Sequence, residues 1–303
     1  MVKDTPITVN GCNGNTPELI DLKVTDYCEY GCEYCYQSSN QEGKHADIQD
    51  ILNMAYQMKD AQVLEVAIGG GDPVKHPQFA RILEIFRDEG IVPSFSTRDV
   101  EWVKDRNIAK SVIENAGAIG FSVDNTWELR RVYNAYNYLE IEYSGKIERK
   151  FDRTHTFPRL VIHYIPEAHD VRNIRKMAEC MAEHGNSWED TLLLLGWKSV
   201  GRAEGRKPPH TCKSWLNALG KKCASPRISV DTCFAERYKD DMKSISEVLY
   251  ETEEGRHSMY IDLVDKKFAT SSYTKEEGKH ELSDTRLRTQ LSIEEMFARV
   301  RRP

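Results

Sequence analysis

Short apolar, β-branched runs alternate with amphipathic helical stretches along the first two thirds of the chain. Leu19–Thr25 (LIDLKVT), Val63–Ile68, Ile91–Ser96, Ala118–Val123, Leu160–Ile165 and Thr191–Trp197 read as six strands. Their near-continuous apolarity suits parallel strands covered on both faces. Between them, residues 47–59 bring Ile48, Ile51, Leu52, Ala55 and Met58 onto one helical face. Residues 77–89 do the same with Phe79, Ile82, Leu83 and Phe86, and Gly90 stops the helix. Residues 101–115, Trp127–Tyr138 and 171–184 are further helices. Six βα units joined by right-handed crossovers predict an α/β fold, a partial (β/α)6 TIM-like barrel rather than the closed eight.

After Lys198 the pattern changes. Residues 199–227 are loop-rich and basic, and Ile228–Phe234 reads as one more strand. Ser258–Ser272 predicts a β-hairpin turning at Asp265-Lys266, and Ser292-Ile293-Glu294-Glu295 a capping box that opens a final helix. The expected organisation is an N-terminal segment (1–18), a barrel (19–200) and a C-terminal cap (201–303).

The chain has 303 residues, enough to bury a full core without disulfides. Its net charge of −6 argues against nonspecific binding to nucleic acid or to an anionic membrane. The opening residues lack the apolar core of a signal peptide, and no apolar run approaches the ~18 residues of a membrane span. A cytoplasmic location follows, where thiols stay reduced. Eight cysteines there read as metal ligands or buried thiols before disulfides.

Directly after the first strand comes Cys28-Glu-Tyr-Gly-Cys32-Glu-Tyr-Cys35, spaced C-x3-C-x2-C. Three thiolates on one short loop can bind three irons of a cubane cluster and leave the fourth open to a small molecule. A zinc site or a group of buried thiols is the plainer alternative. Zinc favours four ligands in closed pairs, and no second C-x2-C pair exists here.

This spacing, its place after the first strand and the aromatic Tyr34 before the third cysteine resemble the radical S-adenosylmethionine (SAM) superfamily. The string CEYGCEYCYQ is most similar to its sulfatase-maturing, SPASM/twitch peptide-modifying branch. The resemblance implies a [4Fe–4S] cluster on Cys28, Cys32 and Cys35, and SAM as cofactor. It implies reductive cleavage to a 5′-deoxyadenosyl radical, which takes hydrogen from a peptide or protein side chain; a nucleoside, nucleotide or other small metabolite is the alternative substrate. A one-electron reductant such as flavodoxin or ferredoxin is the implied partner.

Gly69-Gly70-Gly71-Asp72-Pro73 resembles the superfamily's segment that contacts the SAM amino group, with Asp72 one methylene shorter than the usual glutamate. By the same resemblance Ser96 stands near the SAM ribose or carboxylate, Ser122 at the ribose, and Arg130 at the carboxylate, unless Arg130 is a solvated surface residue. Asp124 is open to three roles: binding SAM, binding substrate, or capping the next helix. His163 lies within the fifth strand and Lys198 just after the sixth, and strand ends are where a barrel places its active site. Both are candidates for substrate or proton handling, with a hydrogen-bonded core histidine the other reading of His163. Leu194 and Leu195 are adenine neighbours or ordinary core. The basic stretch Lys198–Arg206, with Lys207, Lys221, Lys222 and Arg227, suits phosphate, an acidic leader or plain solvation.

Cys212, Cys223 and Cys233 occupy the cap, where relatives hold further clusters beside a hairpin. Here Ser271-Ser272-Tyr273 stands where a cysteine is expected, so the chain is expected to bind one cluster, with a three-thiolate site on Cys212, Cys223 and Cys233 the alternative. Cys180 falls in an amphipathic helix as a buried thiol, and Cys12 has no assigned role. Two other classes compete: a noncatalytic metal-binding regulator and a SAM methyltransferase.

Overall fold

The computed structural model describes residues 14–143, 146, 157–169, 172–185, 190–211, 227–242, 253–284 and 289–301. Cys12, Cys212, Cys223, Lys221 and Lys222 lie outside them. All six expected βα strands are present: β1 (Leu19–Thr25), β2 (Glu65–Gly70), β3 (Val92–Thr97), β4 (Ala118–Ser122), β5 (Arg159–Tyr164) and β6 (Thr191–Leu194). They pair in chain order and in parallel, joined by helices α1 (Ile48–Asp60), α2 (Phe79–Asp88), α3 (Arg106–Asn115), α4 (Thr126–Tyr143) and α5 (Asn173–His184).

The sheet extends past the six on both sides. β7 (Arg227–Val230) adds in parallel beside β6, and β8 (Ser258–Asp262) in parallel beside β1. β9 (Lys267–Ala269) and His280–Glu281 follow antiparallel at the β8 edge, giving a ten-stranded sheet that does not close. Segments after residue 200 therefore build both flanks of the barrel sheet. Ile228–Phe234 divides into β7 and a helix, Thr232–Arg237, because Asp231 caps that helix by accepting from Phe234 N.

Hairpin β8–β9 docks through charge as well as backbone. In the β1/β8 register Lys23 stands opposite Asp262, and its buried Nζ donates to Asp262 Oδ2 at 2.8 Å. The hairpin turns where expected, with Lys266 in the left-handed region at φ 57°. Ser292 and Glu295 form the full capping box on the final helix, Ile293–Val300.

Strand chemistry explains where the interior space lies. On β1, Ile20, Leu22 and Val24 are fully buried against the helical layer, while Asp21 and Lys23 take the opposite face. α1 covers this layer with Ile51, Met54, Ala55 and Met58, and α2 with Phe79, Ile82, Leu83 and Phe86. On the opposite face of β2 to β4 stand Ala67, Gly69, Ser94, Ser96, Ala118, Gly120 and Ser122. Seven residues this small leave a void inside a sheet whose outer face is tightly filled.

Candidate active site

That void is a cavity of about 460 Å³ at the C-terminal ends of the strands, and the cysteine loop forms part of its wall. Cys28, Cys32, Cys35, Tyr34, Gly70, Gly71, Asp72, Ser96, Ser122, Asp124, His163 and Lys198 all line it. Cys28, Cys32 and Cys35 are free and half-buried. No three His, Cys, Asp or Glu side chains among the described residues converge on one metal-ion position. Cubane thiolates go to separate irons and stand further apart.

The glycine segment holds the cysteine loop in place. A Cβ on Gly70 would stand 2.1 Å from Thr25 O, and one on Gly71 2.1 Å from Tyr27 O. Gly71 N donates to Thr25 O, and Asp72 N to Tyr27 O at 2.8 Å. The chain entering the cysteine loop is thus laid directly on β2's end, at a distance only glycine allows. Of the three glycines only Gly69 would place a Cβ in open space.

Asp72 is 2% exposed and accepts from Thr97 Oγ1 at 2.8 Å, while its Oδ2 is buried with no hydrogen-bond partner. Burial pushes its carboxyl up to about 6. Pro73 is buried at the start of a 3₁₀ turn, Pro73–Lys75, where its fixed φ suits the first helical position, and it does not line the cavity.

Arg130 does not reach the cavity either. It is exposed on α4 beside Cys180. Glu128 is the α4 residue turned to the site, and two residues on, at about 100° each, a side chain faces away. The arginine that lines the cavity beside the cysteine loop is Arg98. Its Nη2 lies 2.6 Å from Asp124 Oδ2 and 3.0 Å from Glu128 Oε2, and its Nη1 donates to Tyr34 OH at 2.8 Å. Tyr34 OH donates to Asp124 Oδ1 at 2.6 Å, and His169 Nε2 stands 2.9 Å from the same oxygen. Burial raises the Asp124 carboxyl, but His169, Arg98 and Tyr34 outweigh it and hold the group well below the usual carboxylate range. Asp124 is committed to this network; the cap of α4 is Asn125, which accepts from Trp127 N and Glu128 N.

The opposite wall collects His163 and Lys198. His163 packs against Gly120, where a Cβ would come within 2.6 Å of its ring. Burial, then the charge of Lys198, push its imidazole down to about 4, so it is neutral at pH 7. Lys198 Nζ lies 3.5 Å from Asp231 Oδ2 and over the rings of Tyr36 (4.7 Å) and Tyr273 (5.1 Å). Ser272 thus lines the cavity and Tyr273 packs against Lys198, at the place where the resemblance puts a cysteine. Burial pushes the Asp21 carboxyl up to about 6, opposed by Lys198. Leu195 lines the cavity, while Leu194 is core. Cys180 is a free thiol 3% exposed in α5, and Cys233 Sγ stands 3.7 Å from Trp197 O.

Arg202 carries a role its sequence context did not single out. Its Nη1 donates to Cys32 O at 3.0 Å, its Nη2 to Ser39 O, and its backbone N to Cys35 O at 3.0 Å. This member of the basic stretch clamps the cysteine loop.

Comparison with known proteins places this geometry. Residues 22–161 match the radical SAM superfamily. No curated protein matches the chain. Among solved structures, Streptococcus suis SuiB bound to S-adenosylmethionine is similar at 12% identity and TM-score 0.63, over 88% of this chain and 63% of SuiB. SuiB bound to precursor peptide SuiA is similar at 13% identity and TM-score 0.61, over 84% and 59% of the two chains. The protein anSMEcpe with bound AdoMet is similar at 14% identity and TM-score 0.55, over 92% and 80%. The chain spans about three fifths of the length of SuiB. The match over residues 22–161 is to the radical SAM superfamily, whose enzymes use a [4Fe–4S] cluster and S-adenosylmethionine.

Proposed function

We propose that Cys28, Cys32 and Cys35 hold a [4Fe–4S] cluster, that SAM lies in the cavity against β2 to β4, and that the chain removes a hydrogen atom from a peptide or protein side chain. The observation that carries this is a cysteine loop set in the wall of a cavity whose other side is built from alanine, glycine and serine. The residues fit both groups: three free thiols on one loop, and one buried carboxylate oxygen, Asp72 Oδ2, that lacks a donor. When bound, the cluster supplies the electron that cleaves SAM to methionine and a 5′-deoxyadenosyl radical.

The chain's own residues position and shield. Asp72 accepts from the SAM amino group, and Ser96 and Ser122 offer hydroxyls to its sugar or carboxylate. Asp21, neutral His163, Lys198 and Asp231 form the wall left for substrate. A peptide is favoured because SuiB was solved with a precursor peptide and anSMEcpe, in a structure 14% identical at TM-score 0.54, with the Cp18Cys peptide. A one-electron reductant such as flavodoxin or ferredoxin supplies the cluster.

Anaerobic protein given dithionite and SAM should release 5′-deoxyadenosine. S-Adenosylhomocysteine in its place would indicate methyl transfer, and bound iron without any cleavage a regulator; either sinks this reading.

Asp72 gives a second test. A charge-assisted hydrogen bond contributes about 1.5–3 kcal/mol, so Asp72→Asn should weaken SAM binding roughly tenfold to a hundredfold. The raised carboxyl is neutral below pH about 6 and charged above it. Wild-type affinity should therefore fall as pH drops through that value, while the asparagine variant stays flat. Equilibrium dialysis across pH 5 to 8 reads both, and parallel pH profiles would remove Asp72 from the site.

A further inference from the structure

We propose that Arg98 raises the reduction potential of the cluster on Cys28, Cys32 and Cys35 by hydrogen-bonding the sulfur of Cys32; this rests on the reading of the loop given above. Arg98 Nη1 donates to Cys32 Sγ at 3.4 Å. The same nitrogen donates to Tyr34 OH, and the guanidinium carbon lies 5.7 Å from the centre of the Tyr30 ring. One side chain from the end of β3 therefore meets the cysteine loop at residues 30, 32 and 34.

Its aim is set from behind. Asp124 and Glu128 hold Nη2, so the planar fork cannot rotate without breaking two ion pairs. The side chain is 15% exposed, which keeps water from competing strongly for the sulfur. With two carboxylates against one guanidinium, the local charge is not positive. What Arg98 brings to Cys32 is a directed N–H donor rather than a free cation. Arg202 differs: its bonds to the loop go to carbonyl oxygens of Cys32 and Ser39, not to a sulfur.

A donor to a ligating sulfur draws electron density from the cluster and stabilises its reduced, more negative state. Arg98 is thus a positioning residue acting through Cys32. Removing the donor should make the cluster harder to reduce while leaving it assembled.

The test is the midpoint potential of the reconstituted, SAM-free protein, read by electron paramagnetic resonance during a redox titration. Arg98→Met keeps the length of the side chain and removes its donors. It should hold as much iron as wild type and be about tenfold less readily reduced, which for one electron is about 59 mV. Arg98→Lys keeps a cationic donor without the fork and should fall between the two. An iron-replete Arg98→Met with the wild-type potential overturns the proposal. If Arg98→Met cannot keep its iron, Arg98→Lys decides, and an unchanged potential there overturns it. Wild-type protein that binds no iron overturns the cluster reading itself, a result separable from either.

Discussion

Wild-type protein reconstituted without oxygen should carry about four irons per chain, and the Cys28/Cys32/Cys35→Ala variant close to none. Release of 5′-deoxyadenosine should fall with the iron to the background of an enzyme-free mixture. The size of the effect follows from the chemistry: the variant removes all three thiols of the loop, and a cubane has no other anchor there. The loop itself should survive, because its backbone is fastened independently of the sulfurs. Cys28 N donates to Asn40 O at 2.9 Å, and Arg202 binds the carbonyls of Cys32 and Cys35. Metal-free forms of wild type and variant should therefore melt within a few degrees of each other. Cys233→Ala should keep the iron near four, since Cys233 stands by Trp197 and Lys198 on the other wall. Close to eight irons in wild type, or iron retained by the triple variant, would sink the single-cluster reading.

The sequence made the strands, the cysteine loop and the capping box visible because each is local. A β-branched run, a C-x3-C-x2-C spacing and a Ser292–Glu295 pair all lie within a few residues. What it concealed were contacts between distant positions. Arg98 meets Glu128 30 residues on, and Tyr34 reaches Asp124 across 90, so no spacing rule marked them as one network. The resemblance points to Arg130, yet helical phase turns it outward and turns Glu128 in. The glycine segment was visible, but its reason was not. Gly70 and Gly71 answer to Thr25 and Tyr27 across a strand pair, a steric demand that appears only once β1 and β2 lie side by side. Likewise β8 reads as part of a cap until Lys23, buried on β1, finds Asp262.

Glu167→Ala should lower the stability of the folded protein by roughly 3 kcal/mol, the low end of the range for removing one partner of a buried ion pair, because the Arg237 left behind is a third exposed. Glu167 is fully buried and accepts four hydrogen bonds from three donors: Trp197 N at 2.7 Å, Tyr238 OH at 2.8 Å, and Arg237 Nη1 at 2.7 and 2.6 Å to its two oxygens. Alanine leaves the Arg237 cation and a buried backbone N–H without that acceptor. For a chain of this size the thermal midpoint should drop on the order of 10 °C. Glu167→Gln keeps the volume but turns an amide donor toward the same donors, so it should recover only part of the loss. The double variant Glu167→Met/Arg237→Met removes both charges and should be more stable than Glu167→Ala, because a buried pair replaced by apolar side chains leaves no orphaned charge. A loss under about 1 kcal/mol in Glu167→Ala would mean that water enters this site and the pair is in effect a surface one. The consequence reaches the cavity, since Trp197 N precedes Lys198 by one residue and Arg237 Nη2 also donates to Trp197 O at 2.5 Å. The carboxylate that stabilises this corner of the fold also fixes the backbone from which Lys198 enters the cavity wall.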